Sequence, residues 1–181
     1  MLKVSVLVGS LRKGSVNRKL VEALAKLAEG TLEFDYPSLD LPLYNEDLWA
    51  DPPKGVLALK KSVEAADAVL FATPEYNRSF SPAIQNAIDW GSRPWGKSSW
   101  PGKPAGIVGA AGGKIGTAAA QAHLRSVVAG QGMILMGQPE VYLEYPEGLI
   151  DESGTITDEA TQNFLKGYLE KFTDFIGKVS A

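Results

Sequence analysis

Leu2-Lys3-Val4-Ser5-Val6-Leu7-Val8 runs directly into Gly9-Ser10-Leu11-Arg12-Lys13-Gly14-Ser15-Val16-Asn17, and the reading of that junction decides the fold. A short, nearly continuous apolar run rich in β-branched residues predicts a strand buried on both faces. The segment after it, rich in Gly and Ser, predicts a tight turn. Ser15 then opens a helix over 15–28, with Leu20, Leu24 and Leu27 on one side. Strand, turn and helix in that order are the first half of a βαβ unit.

The same alternation continues along the chain. Strands are predicted over 2–8, 31–36, 68–73, 105–110 and 133–137, and helices over 15–28, 56–66, 81–90, 116–129 and 158–179. Asp158 or Thr157 caps the last helix, Lys178 lies near its end, and Pro82 falls where a first-turn proline is tolerated. Strict alternation of strand and helix predicts a doubly wound α/β sheet. With 181 residues, no repeat and no linker-like stretch, the chain reads as one domain over 1–181.

Composition removes several chemistries. No cysteine is present, so disulfides, thiolate metal ligands, iron–sulfur clusters and reactive thiols are excluded. A single histidine, His123, excludes a multi-histidine metal site. Any redox chemistry must come from a bound cofactor. With 18 basic and 21 acidic residues there is no global field to draw in nucleic acid or an anionic membrane. The first apolar run is too short and too abruptly followed by Arg12-Lys13 to be a secretion signal, and no run approaches the roughly 20 apolar residues that span a bilayer. A cytoplasmic protein is expected. The basic residues are unevenly placed: Lys3, Arg12, Lys13, Arg18, Lys19 and Lys26 face only Glu22 over the first 26 positions, which points to an anionic small molecule.

In an open α/β sheet ligands bind at the carboxyl ends of the strands. After the first strand, the helix N-terminus and the donors of Ser10, Arg12, Ser15 and Asn17 suit a phosphate; the alternative is a serine-capped turn with a solvated basic pair. The spacing Gly9-x4-Gly14 echoes a P-loop but lacks the Lys and Ser/Thr that follow it, and no Gly-x-Gly-x-x-Gly occurs here, so a mononucleotide monophosphate fits better than ATP or a dinucleotide. After the third strand, Pro74 and Pro82 stiffen a loop whose backbone and Tyr76 suit a planar polar ring, unless it is a generic structural loop. After the fourth strand, Gly109-Ala110-Ala111-Gly112-Gly113 lets a ligand approach the backbone closely, although such turns also occur without ligands.

Taken together, Gly9-Ser-Leu-Arg-Lys-Gly-Ser-Val-Asn17, Pro74-Glu-Tyr-Asn77, Asn86-Ala-Ile-Asp-Trp90 and Gly102-Lys-Pro104 resemble the NADPH-dependent FMN reductase family, most closely its bacterial quinone and chromate reductases. The resemblance extends over essentially the whole chain. It implies a flavodoxin-like three-layer sandwich around a five-stranded parallel sheet of order 2-1-3-4-5. It also implies that Ser10, Arg12, Ser15, Val16 and Asn17 hold the FMN phosphate and that Pro74, Glu75, Tyr76 and Asn77 contact the isoalloxazine. The family's serine-rich stretch after the fourth strand is Ala110-Ala111-Gly112 here, so contact there would run through backbone.

The implied reaction is oxidation of NADH or NADPH with transfer of two electrons to a small-molecule acceptor such as a quinone, a flavin, a ferric chelate or chromate, in a homodimer or homotetramer. No side chain is required as acid, base or metal ligand. The rival readings are a non-enzymatic flavin-binding electron carrier and a nucleotide-binding regulatory protein. Arg78 could bind a phosphate or stabilise reduced flavin, or simply be solvated; His123 reads as structural; Trp90, Trp95 and Trp100 read as core or as the wall of a pocket for a planar substrate. Tyr142, Glu144 and Tyr145 are placed just before an irregular loop.

Overall fold

In the computed structural model, which describes residues 1–181, the parallel sheet has the expected backbone order. Strands β1 (Leu2–Val8), β2 (Leu32–Asp35), β3 (Ala68–Ala72), β4 (Pro104–Ala111) and β5 (Ile134–Leu135) lie in the order β2-β1-β3-β4-β5. A sixth strand, β6 (Val141–Glu144), adds to the five expected and pairs with β4 beyond the short β5. Pro104 and Ala105 of β4 partner Ile134 and Leu135, whereas Val108 to Ala111 partner Val141 to Glu144. One edge position is thus filled by two pieces, and Tyr142 and Glu144 lie in sheet. Pro139, in the detour between the pieces, lacks the N–H that a continuous strand would donate.

Pleating sends alternate side chains to opposite faces. Val4, Val6 and Val8 of β1 and Ala68, Leu70 and Ala72 of β3 join the core formed with α1 (Val16–Leu27) and α5 (Glu159–Ser180). Leu7, Val69 and Phe71 point to the other side, toward α2 (Lys54–Ala65), α3 (Pro82–Gly91) and α4 (Ala118–Gly130). Each fully buried Leu, Val or Phe contributes about 1.5–3 kcal/mol. Ser5 also points into this second face, and its hydroxyl finds that of Ser62 at 2.7 Å.

The α4 boundary departs from expectation. Gly116 has φ +60°, and a Cβ there would lie 2.7 Å from the Tyr142 carbonyl carbon, so this residue is a turn pressed against β6 and the helix begins at Ala118. The long segment after β2 holds a short 3-10 helix, Glu46–Ala50. It is strapped to α3 by the Asn86-to-Trp90 motif: Asn86 Oδ1 accepts from Tyr44 N at 2.8 Å, Asn86 Nδ2 donates to Pro42 O at 2.9 Å and Trp90 Nε1 donates to the same oxygen at 2.8 Å.

Candidate functional site

Gly9 closes β1, donating its N–H to Ala72 O at 2.9 Å. A Cβ at Gly9 would lie 2.7 Å from Ser81 Oγ and 3.0 Å from Pro74 Cδ, so the glycine is required because the loop after β3 packs onto it. Gly14 has no positive φ and open space about it. Of the two glycines, one serves packing between loops and neither supplies a left-handed turn.

Ser15, 2% exposed, caps α1: its Oγ accepts from Arg18 N at 3.1 Å. The first turn of α1 holds no acid. No protein acceptor takes the N–H groups of Ser10, Leu11, Arg12, Lys13 and Gly14, nor those of Val16 and Asn17 in the first helical turn. Arg12 is exposed and spends one guanidinium nitrogen on Gly14 O at 2.8 Å. The Asn17 side chain, by contrast, is buried and turned inward: Nδ2 donates to Ala110 O at 3.0 Å and Oδ1 accepts from Ala110 N at 2.9 Å. Of Asn17, only the backbone N–H is left without a protein acceptor.

The loop after β3 is a tight reversal. Tyr76 and Ser79 exchange backbone hydrogen bonds at 2.9 and 3.0 Å around Asn77 and Arg78, which have φ of 51° and 65°. Positive φ at both central positions gives a type I′ turn, for which Asn is suited and Arg is not. Thr73 Oγ1 donates to Pro74 O at 2.7 Å and braces the start of the loop, while Ser81 caps α3 by accepting from Ile84 N at 3.2 Å. The N–H groups of Glu75, Asn77 and Arg78 have no protein acceptor, and Tyr76 is 45% exposed. The Glu75 carboxylate points back into the protein, accepting from Arg78 Nη1 at 3.1 Å and from the N–H groups of Ala119 and Ala120 at 3.1 and 3.2 Å.

At the end of β4, the Ala110 polar groups are taken up by Asn17, and Ala111 O accepts from Tyr145 N at 2.9 Å. Burial pushes the Tyr145 phenol up from its usual value. Gly109 is required: a Cβ would lie 2.0 Å from Thr117 Oγ1 and 2.6 Å from Thr73 O. Gly112 and Gly113 are exposed with nothing near a Cβ, and their N–H groups are unpaired.

The three loops are therefore cross-linked. Gly9 seats the first against the second, Asn17 ties the first to the third, and Glu75 ties the second to the helix after the third. One exposed apolar side chain stands on each, Leu11, Tyr76 and Ile115, 57%, 45% and 57% exposed. Leu11 and Ile115 escaped the sequence reading; an aliphatic residue set among the polar residues of a loop was the available signal.

The remaining candidates separate. Trp90 and Trp100 are fully buried, whereas Trp95 is 86% exposed on the segment leading into β4, which lies at the amino edge of the sheet. Within one protomer that segment is remote from the loops at the carboxyl edge. His123 lies on the exposed side of α4 with Nδ1 3.4 Å from Ser79 Oγ, beside the loop after β3.

Comparison with known sequences follows the same lines. The family model described as NADPH-dependent FMN reductase matches residues 2–147. The chain belongs to this family. A 2-hydroxy-1,4-benzoquinone reductase from a Burkholderia species is 46% identical over 97% of this chain and 96% of its own length. An Escherichia coli quinone reductase is 37% identical over 98% and 97% of the two chains. Among solved structures, FerB from Paracoccus denitrificans, described as a flavoenzyme NAD(P)H:(acceptor) oxidoreductase, has a TM-score of 0.96 and 50% identity over 98% of each chain.

The residues present fit the cofactor of the NADPH-dependent FMN reductase family. The first loop presents donors and positive charge without an acid, the donor set that a phosphate dianion requires. The second and third loops present unpaired N–H groups beside exposed apolar surface, which suits a planar ring with polar edges. No helix of the chain is long and apolar enough to cross a membrane.

Proposed function

We propose that the chain is an FMN-dependent NAD(P)H oxidoreductase that oxidises NADH or NADPH and passes two electrons to a quinone or a similar small acceptor, such as flavin, ferric chelate or chromate. The observation that carries this reading is the run of unpaired N–H groups from Ser10 to Gly14, continued by Val16 and Asn17 at the start of an α1 that holds no acid in its first turn. Ser10, Arg12, Ser15, Val16 and Asn17 form the phosphate cradle, with Asn17 acting through its backbone N–H while its side chain holds Ala110. Pro74, Glu75, Tyr76 and Asn77 meet the ring through backbone groups and the Tyr76 face. Ala110, Ala111 and Gly112 bound it from the other side.

When bound, FMN supplies hydride acceptance and two-electron delivery. The chain's own residues bind and orient it. The cradle attracts the phosphate with fixed dipoles and the Arg12 charge, and the cross-linked loops present their N–H groups without rearrangement. Leu11, Tyr76 and Ile115 offer apolar surface to a planar acceptor. The reading includes a single flavodoxin-like FMN-binding domain over 1–181, a cytoplasmic location, and a homodimer or homotetramer, the last supported by the small partly exposed residues Ala118, Ala119 and Ala122 on α4.

Purified protein should bind FMN and turn yellow, and it should oxidise NADH or NADPH when a quinone is supplied, with ping-pong kinetics. A colourless protein that fails to bind added FMN refutes the reading. FMN binding without quinone-dependent turnover would instead make the chain an electron carrier.

A further inference from the structure

Five helices run back from the carboxyl edge of the sheet, and α4, like α2 behind Pro53, begins without a side-chain cap. Ser15 caps α1, Ser81 caps α3 and Asp158 caps α5, each from the position just before its helix. At α4 the equivalent residue, Thr117, makes no capping hydrogen bond. Its hydroxyl is buried under Gly109 and accepts from Gln121 Nε2 at 2.9 Å. The first-turn donors of α4 are satisfied from a distant part of the sequence, by the Glu75 carboxylate on Ala119 N and Ala120 N. Its side chain is only 9% exposed.

Glu75 also sits one residue before a strained turn. Arg78 adopts φ 65°, a region that costs a branched or long side chain energy unless neighbours over-determine it. The guanidinium of Arg78 closes onto Glu75 Oε1 at 3.1 Å, so one carboxylate holds both the turn and the helix against which the turn must be placed. Meanwhile the neighbouring N–H groups, those of Glu75, Asn77 and Arg78, remain unpaired.

We propose that Glu75 is a positioning residue: with its carboxylate on the α4 N-terminus, it sets where the Pro74–Asn77 backbone stands and so fixes the half of the site that receives the flavin ring. This rests on the FMN reading given above and assigns the Glu75 side chain a role distinct from ring contact. It also keeps the positive end of α4 from competing for the phosphate, because its first-turn N–H groups are taken by an internal anion.

The test compares FMN with riboflavin, which keeps the ring and lacks the phosphate, by quenching of flavin fluorescence on titration with apoprotein. Glu75→Ala should weaken both ligands by a similar factor, about tenfold or more. Glu75→Gln, whose amide oxygen can still accept from Ala119 and Ala120, should recover most of that loss. Equal affinity of Glu75→Ala and wild type for both ligands overturns the proposal, as does a loss confined to FMN. If Glu75→Ala does not fold, hydrogen exchange in wild-type apoprotein decides. The amides of Ala119 and Ala120 should exchange at least about tenfold more slowly than those of Val16 and Asn17, and equal rates overturn the proposal. Failure of wild type to bind either flavin would count against the functional reading itself, whereas normal wild-type binding with an indifferent Glu75→Ala counts only against the role of Glu75.

Discussion

The Asn17 side-chain amide grips Ala110 from both sides, donating to its carbonyl at 3.0 Å and accepting from its N–H at 2.9 Å. Strand periodicity explains the need. Val108 O is paired across to Thr73 N, and two residues further along β4 the groups of Ala110 face the same way, but β3 has ended and its chain has turned off at Pro74. Asn17 occupies the place of the missing strand and in doing so joins the phosphate loop to the loop after β4. Replacing Asn17 by Ala leaves a buried donor and a buried acceptor unpaired. The expected loss is about 2–6 kcal/mol in urea denaturation of the apoprotein, since each of the two orphaned groups costs about 1–3 kcal/mol.

Arg12 should behave differently. It is exposed, and its one protein contact is to Gly14 O within its own loop. Arg12→Ala is expected to leave apoprotein stability within about 0.5 kcal/mol of wild type. It should weaken FMN about tenfold or more while leaving riboflavin unaffected, because a hydrogen bond to a charged group contributes about 1.5–3 kcal/mol. Ser15→Ala is a poorer probe of phosphate binding: Ser15 caps α1, and loss of the cap alone costs about 1 kcal/mol.

Acid should weaken the docking of the last helix. Asp158 caps α5, and hydrogen bonding from Thr161 holds its carboxyl below the usual 3.8. A depressed folded-state value contributes stability that is present above the ordinary carboxylate range and is lost as pH falls through the lowered value. Thermal midpoints of wild type and Asp158→Asn should therefore differ at neutral pH and converge in strong acid. A gap that stays constant with pH would show that the cap charge plays no part.

Much of the fold was legible because its signals are local. Val4 to Val8, the Leu20, Leu24 and Leu27 face and the proline at the start of α3 each declare an element within a few residues, and the sheet order followed from the family resemblance. The sixth strand was not legible, since Val141 to Glu144 form a strand only through the terminal half of β4, left uncovered where β5 stops at Leu135. Within the site, the phosphate loop could be read from its donors. The inward turn of Asn17 and Glu75 could not, because their partners, Ala110, Ala119 and Ala120, are backbone groups that leave no mark in side-chain type. Both carry family-motif positions, yet what the geometry assigns to their side chains is bracing. Likewise the Asn86 and Trp90 of the third motif hold the segment after β2, at Pro42 and Tyr44.

Gly109, near the end of β4, and Gly112, just beyond it, separate packing from ligand approach. Gly109→Ala would drive a methyl to 2.0 Å from Thr117 Oγ1 and 2.6 Å from the Thr73 backbone, and the backbone oxygen cannot step aside cheaply. Its cost should lie at or above the about 1–3 kcal/mol usual for overpacking, visible as a lowered denaturation midpoint. Gly112→Ala meets no protein atom within 4 Å, and Gly112 has no positive φ, so the apoprotein should be unharmed or slightly stabilised. If the flavin ring is bounded by the Ala110 to Gly112 backbone, the same methyl stands in its way. FMN and riboflavin should then both bind more weakly to Gly112→Ala, with no fall in apoprotein stability. Unchanged affinity for both would remove Gly112 from the site while leaving the phosphate cradle assignment intact, since that half is probed independently by Arg12→Ala.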